Sequence, residues 1–162
     1  MALLYPRIGR WSVTIRSEPP AGSRGGIDIG TVNIERGPGG FSIVQTFHSK
    51  GASGEIRGQS YTWWDRPTRS YRSVWCDNQQ GCVEFTTSIH GNRWTVELES
   101  RSNGRKVHTS IVATMSDDHN TIREETLNSY NDGPARREAT SLYRRILPST
   151  GEPRGRRPRH RS

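Results

Sequence analysis

From Trp11 onward, apolar and polar residues alternate with a period of two, and Gly, Asn or Asp interrupts the alternation every 8 to 14 residues. That period belongs to extended chain, whose successive side chains point to opposite faces. It predicts strands near 10–17, 26–36, 40–49, 54–65, 69–78, 82–90, 93–101, 105–116, 120–130 and 135–146. The intervening "HGN", "SNG", "DDHN" and "NDGP" supply residues that tolerate positive φ, and Pro67 pre-sets the turn in "DRPT". Helical periodicity is confined to a short turn around "ALLYP". Successive short strands joined by tight turns build a sandwich or a barrel, and the lack of a long crossover favours the barrel, which leaves no sheet edge exposed. The expected fold is all-β: a single antiparallel up-and-down barrel of about 8–10 strands.

The alternation also assigns faces. Trp94, Val96 and Leu98 share one face, opposite Arg93, Thr95, Glu97 and Glu99; Phe41, Ile43, Gln45 and Phe47 point together, as do Val83, Phe85, Thr87 and Ile89. The aromatic- and arginine-rich stretch "YTWWDRPTRSYRSVW" raises a choice between a nucleic-acid platform and the wall of an apolar cavity. A platform interleaves aromatics with cations on one surface. Here alternation sets Tyr71, Ser73 and Trp75 against Arg72, Val74 and Cys76, and pairs Tyr61 with Trp63, so the cavity wall is the expected role.

Length and charge change this picture little. The 162 residues suit one core, with residues 1–8 as a lead-in, 9–147 as the barrel and 148–162 as a disordered Arg-rich tail. Of the net charge of +8, "GEPRGRRPRHRS" supplies +4, so half of the excess that would suggest a polyanion partner lies in that tail. No 18-residue apolar run occurs, and the apolar stretch in "MALLYPRIGRW" is too short for a signal-peptide core, which makes a cytoplasmic protein the expectation. Cys76 and Cys82 bracket a hairpin turn within disulfide reach, yet free thiols are expected in a reducing compartment. The histidines are scattered and form no metal-binding spacing.

"GRW" at Gly9–Trp11, the antiparallel hairpins and "YRR" at Tyr143–Arg145 together resemble the lipocalin-like (calycin) pattern. More narrowly, "VQTFHSKGASGEIRGQSYTWWDRPTRSYRSVWCDN", "GNRW", "SNGRK" and "YRR" look like a bacterial family of lipocalin-like domains of unassigned function. The resemblance covers roughly residues 9–146. It implies that Trp11 closes one barrel end beneath an arginine of the last strand, Arg145 or else Arg144. The Gly-rich continuation and the axial histidine of haem-binding nitrobindin barrels have no counterpart, so no cofactor is implied.

Candidate chemistry then falls on inward positions. An apolar or aromatic ligand would lie between Phe47, Tyr61, Trp63, Tyr71, Trp75 and Trp94, with Tyr143 offering a hydroxyl. Gln45 would present an amide within an aromatic wall. In "TIREETL" only one of Glu124 and Glu125 can face inward, and a desolvated carboxylate there would serve as a general acid or base. Glu124 and Gln45 are thus the catalytic candidates. Three functions stay open: a small-molecule binding protein, a cofactor-free cyclase or isomerase using the same cavity, and an adaptor holding polyanions through the tail. The expected partner is a small hydrophobic or aromatic molecule, with neither membrane nor nucleic acid, and homodimerisation is left open.

Overall fold

The computed structural model describes residues 2–18, 25–102 and 104–147. Its strands are β1 (Gly9–Ser17), β2 (Ile27–Arg36), β3 (Ser42–Gly51), β4 (Gly54–Asp65), β5 (Ser70–Asp77), β6 (Gly81–His90), β7 (Arg93–Ser102), β8 (Arg105–Met115), β9 (Thr121–Tyr130) and β10 (Arg136–Arg145). Each pairs antiparallel with its chain neighbours, and β1 also pairs with β10, which closes the sheet into a ten-strand barrel. The expected barrel is observed, with boundaries within about two residues of those the alternation predicts.

Residues directly opposite on paired strands share a face, so the register can be followed around the barrel. One inward row runs Ile89, Trp94, Ala113, Glu124, Ser141, Ile15 across six strands. Between Arg137 and Ala139 the β9–β10 register shifts at a bulge.

Residues Ala2–Arg7 form a 3₁₀ segment that plugs one end, with Leu4 fully buried. Trp11, also fully buried, donates its indole N–H to the Arg7 carbonyl at 2.9 Å. Above it lies the Arg145 guanidinium, 4.1 Å from the ring centroid, donating to the carbonyls of Pro6, Ile8 and His119 at 2.6, 2.7 and 2.8 Å. A cation that both stacks on an indole and satisfies three carbonyls ties the plug to both ends of the chain's strand order. This geometry explains the glycine of "GRW": Gly9 has φ +137°, and a Cβ there would lie 2.6 Å from Arg145 Nη1. Arg144 is exposed.

Three expectations are corrected here. Phe41 does not share the inward face of β3: the strand begins at Ser42, after a turn in which Gly39 and Gly40 take positive φ, and Phe41 is 73% exposed. Tyr61 and Trp63 face outward. Tyr61 pairs with Val44 and Val74, and Trp63 with Ser42 and Arg72, all on the outer surface. Cys76 and Cys82 form a disulfide rather than free thiols, because the β5–β6 register sets them directly opposite with Cα atoms 4.0 Å apart.

Candidate functional site

The inner face of β4 carries Ile56, Gly58, Ser60 and Thr62, with Trp64 in the same phase at the plugged end, while Tyr61 and Trp63 point outward. Small side chains there make room for the neighbouring strand: a Cβ at Gly58 would strike the Trp75 indole at 2.4 Å. Trp75 reaches across to Phe47, with ring centroids 5.7 Å apart in an edge-to-face pair, and donates to Asp77 Oδ2 at 2.6 Å. Thr62 and Ser73 share a buried hydroxyl contact of 2.8 Å. Gln45 faces inward between Ile34 and Ser60. Tyr71 is buried at the plugged end, edge-to-face with Trp64 at 4.9 Å, and burial raises its pKa.

Across the barrel stands a polar group. Glu124 and Tyr143 face inward from β9 and β10, and Tyr143 donates to Glu124 Oε1 at 3.3 Å. Arg7 extends from the plug over Trp94, its Cζ 5.4 Å from the ring centroid. Burial raises the Glu124 pKa, a shift only partly offset by the Arg7 charge and by hydrogen bonds from Tyr143 and Ser141. Burial, with the Glu124 charge behind it, puts Tyr143 well above its ordinary value. Arg7 is lowered by burial, against the pull of Glu124 and Tyr143. All three are surrounded by protein, yet all three keep part of their surface accessible. Glu124 and Tyr143 face the barrel interior from their strands, and Arg7 belongs to the segment at its plugged end.

Away from the plug, inward residues of β6, β7 and β8 keep part of their surface accessible. Val83, Phe85, Val96, Leu98 and Ile111 all face inward and are all part-exposed, whereas Ile122 and Met115 beside the plug are buried. Of the sequence candidates, the fold thus brings Glu124, Tyr143 and Trp94 to one polar cluster, and Phe47 and Trp75 to the wall opposite. Gln45 lies inside but is hydrogen-bonded to none of them. Glu125 faces outward beside Arg137. Histidines His48 and His108 sit on the outer face in pairs with Glu55 and Glu97, both at 2.9 Å. Sequence reading missed Arg7, which precedes the first strand and belongs to no alternating pattern, and it missed the inward hydroxyls of β4, Ser60 and Thr62, whose phase is opposite to that of Tyr61 and Trp63. The Arg-rich tail lies outside the described residues. Among the described residues, no group of three or more His, Cys, Asp or Glu side chains is placed to hold a metal ion, and no helix is long and apolar enough to cross a membrane.

No protein-family model matches the chain, and no curated protein does. Solved structures resemble it in fold. Rv2717c from M. tuberculosis superposes with a TM-score of 0.65 at 13% identity, over 91% of this chain and 99% of that one. The S-type phycobiliprotein lyase CPES from Guillardia theta superposes with a TM-score of 0.58 at 11% identity, over 91% of this chain and 93% of that one. The fold is that of the lipocalin-like ten-strand barrels.

Proposed function

We propose that this barrel binds a small hydrophobic or aromatic molecule in its lumen. The carrying observation is the Arg7, Glu124 and Tyr143 group, gathered inside a closed barrel with part of its surface accessible. An apolar pocket with a few convergent polar groups is the usual form of a small-molecule site, and the likeness to a phycobiliprotein lyase supports the reading at the level of fold. The ligand's body would lie against Phe47, Trp75, Phe85 and Val96.

Isolated from its own host, the protein is expected to carry a stoichiometric noncovalent adduct in native mass spectrometry, and Val96→Trp, which fills the lumen, is expected to abolish it. A clean apo mass, together with unchanged tryptophan fluorescence across a panel of hydrophobic aromatic compounds, would overturn the proposal.

A second reading uses the same lumen. Glu124, with its raised pKa and its Tyr143 partner, is suited to move a proton on a bound substrate without a cofactor. In that case Glu124→Gln retains binding and loses turnover. A cytoplasmic location belongs to the same proposal. The Cys76–Cys82 bridge weighs against it, because disulfides persist in oxidising compartments, and the redox state of the pair, trapped by alkylation in intact cells, decides the point.

A further inference from the structure

The barrel wall has a notch at its plugged end. Pairs between β5 and β6 run from Asp77 and Gly81 up to Tyr71 and Thr87 and stop there, while β6 continues through Ser88, Ile89 and His90 with β7 beside it. Leu3 of the plug, Trp64 of β4 and Arg69 of the β4–β5 turn line the same space, a cavity of about 430 Å³. Small-molecule sites fall in the range of about 300–1,000 Å³.

One wall of the notch is apolar. Leu3 and Trp64 come from separate elements and are 50% and 40% exposed, and Ile89 lies between the strands they face. Large apolar side chains gathered around one concavity are the usual mark of a surface that takes a partner. The Trp64 ring rests edge-to-face on the buried Tyr71, which supports it from the core side.

The polar groups of the notch are donors, and they are accessible. Among the described residues, the Trp64 indole N–H, the Arg69 guanidinium and the His90 ring have no hydrogen-bond or ion-pair partner. Among those residues no carboxylate lines the cavity, and Asp65, in the neighbouring turn, accepts from the Thr68 hydroxyl. Arg69 takes φ +51°, a conformation that glycine adopts freely and bulky residues seldom do. An arginine there places a cation where the backbone alone would favour glycine.

Charge and shape together select the occupant. An ammonium group would meet Arg69 with like charge, and a compact inorganic anion would leave Leu3, Trp64 and Ile89 uncovered. A carboxylate on an apolar body uses both sides, because a guanidinium donates two parallel N–H bonds to a carboxylate. We infer that the notch binds a small, flat apolar carboxylate, its body against Leu3, Trp64 and Ile89 and its carboxylate on Arg69, with His90 beside it. This is a second site, apart from Phe47 and Trp75, and it does not rest on the lumen reading.

The test is calorimetric titration of the full chain at neutral pH and low salt with three probes that share one body: 2-naphthoate, 2-naphthylmethylammonium and 2-naphthylmethanol. Naphthoate is expected to bind more tightly than either of the others by about tenfold or more, the size of a charge-assisted hydrogen bond. Arg69→Gln is expected to remove that advantage and leave the alcohol unchanged, whereas Leu3→Ser weakens naphthoate and alcohol alike. In two-dimensional NMR of the wild-type protein, naphthoate is expected to shift the backbone amides of Ser70, Ser88 and His90.

Equal affinity for the three probes, preference for the ammonium, or no binding of naphthoate overturns the inference. Shifts centred on Phe47 and Trp75 overturn it as well and assign the probe to the lumen. Arg69 and Leu3 are both exposed, and the wild-type ranking and shift map decide even where a variant fails to fold.

Discussion

The two halves of the barrel are built from the same alternating strands, yet they end differently. In the plugged half, inward residues from many strands meet a segment of the chain itself: Leu4, Trp11 and Val13 are fully buried, and Met115, Ile34, Ile43 and Trp94 nearly so. In the other half, equivalent residues one or two positions farther along β6, β7 and β8 remain part-exposed. Its corner at β2–β4 is closed locally, where the buried Asp28 accepts from the Ser53 backbone N–H and hydroxyl. The difference teaches where stability and function reside. A small barrel either fills its interior with side chains or leaves room for one ligand, and here the segment Ala2–Arg7 fills one end. The polar cluster stands beside that plug, from which Arg7 joins it.

The largest expected effect breaks the filled half. Trp11→Ala should cost about 3–5 kcal/mol, the range for truncating a buried aromatic, and should release the Arg7 carbonyl and the Arg145 stack along with it. Chemical denaturation would read it. A loss below about 1 kcal/mol would mean that the plug is not integral to the core.

A sharper comparison uses neighbouring inward positions of one strand. Ala113, buried beside Trp94, should resist enlargement, so that Ala113→Leu costs about 1–3 kcal/mol. Ile111, one inward position farther from the plug, borders the lumen, and Ile111→Phe should cost less than about 1 kcal/mol. Equal costs would remove the distinction between the halves.

Titration separates the two regions as well. Glu124 has a raised native pKa, chiefly through burial. Its contribution to stability is therefore full below the unfolded value near 4.5 and is lost as pH rises through the native value. For Asp77, at the other end, burial opposes ionisation, but hydrogen bonds from Gln80, Trp75 and Gln79 outweigh it and lower the pKa. Its contribution is present above the unfolded value near 3.8 and is lost as pH falls through the native one. Stability measured against pH should lose its decline above about pH 4.5 in Glu124→Gln, and lose part of its acid-limb rise in Asp77→Asn. Unchanged curves would place both groups in solvent-like surroundings.

The smallest effect is expected outside the barrel. Tyr61 is 44% exposed, so Tyr61→Ala should change stability by no more than about 0.5 kcal/mol and leave probe binding unaltered. Loss of binding in this variant would return Tyr61 to the site.

What the sequence by itself determined is the list of strands, their boundaries, the barrel, and the facing of β7, because a period of two and a turn residue at each reversal are local properties. The Trp11 and Arg145 contact was also legible, through a resemblance whose physical reason the Gly9 geometry now supplies. The facing of β4 was not. Tyr61 and Trp63 looked inward on hydrophobicity alone, but one strand's alternation leaves its absolute phase undetermined; the adjacent indole of Trp75 fixes it, by demanding a glycine beneath. Likewise, hydrophobicity could say that one of two glutamates faces in, not that Arg7 would come from the lead-in to stand over Trp94. Which residues alternate is written along the chain. Which of them meet depends on closure of the sheet, and closure is a property of all ten strands at once.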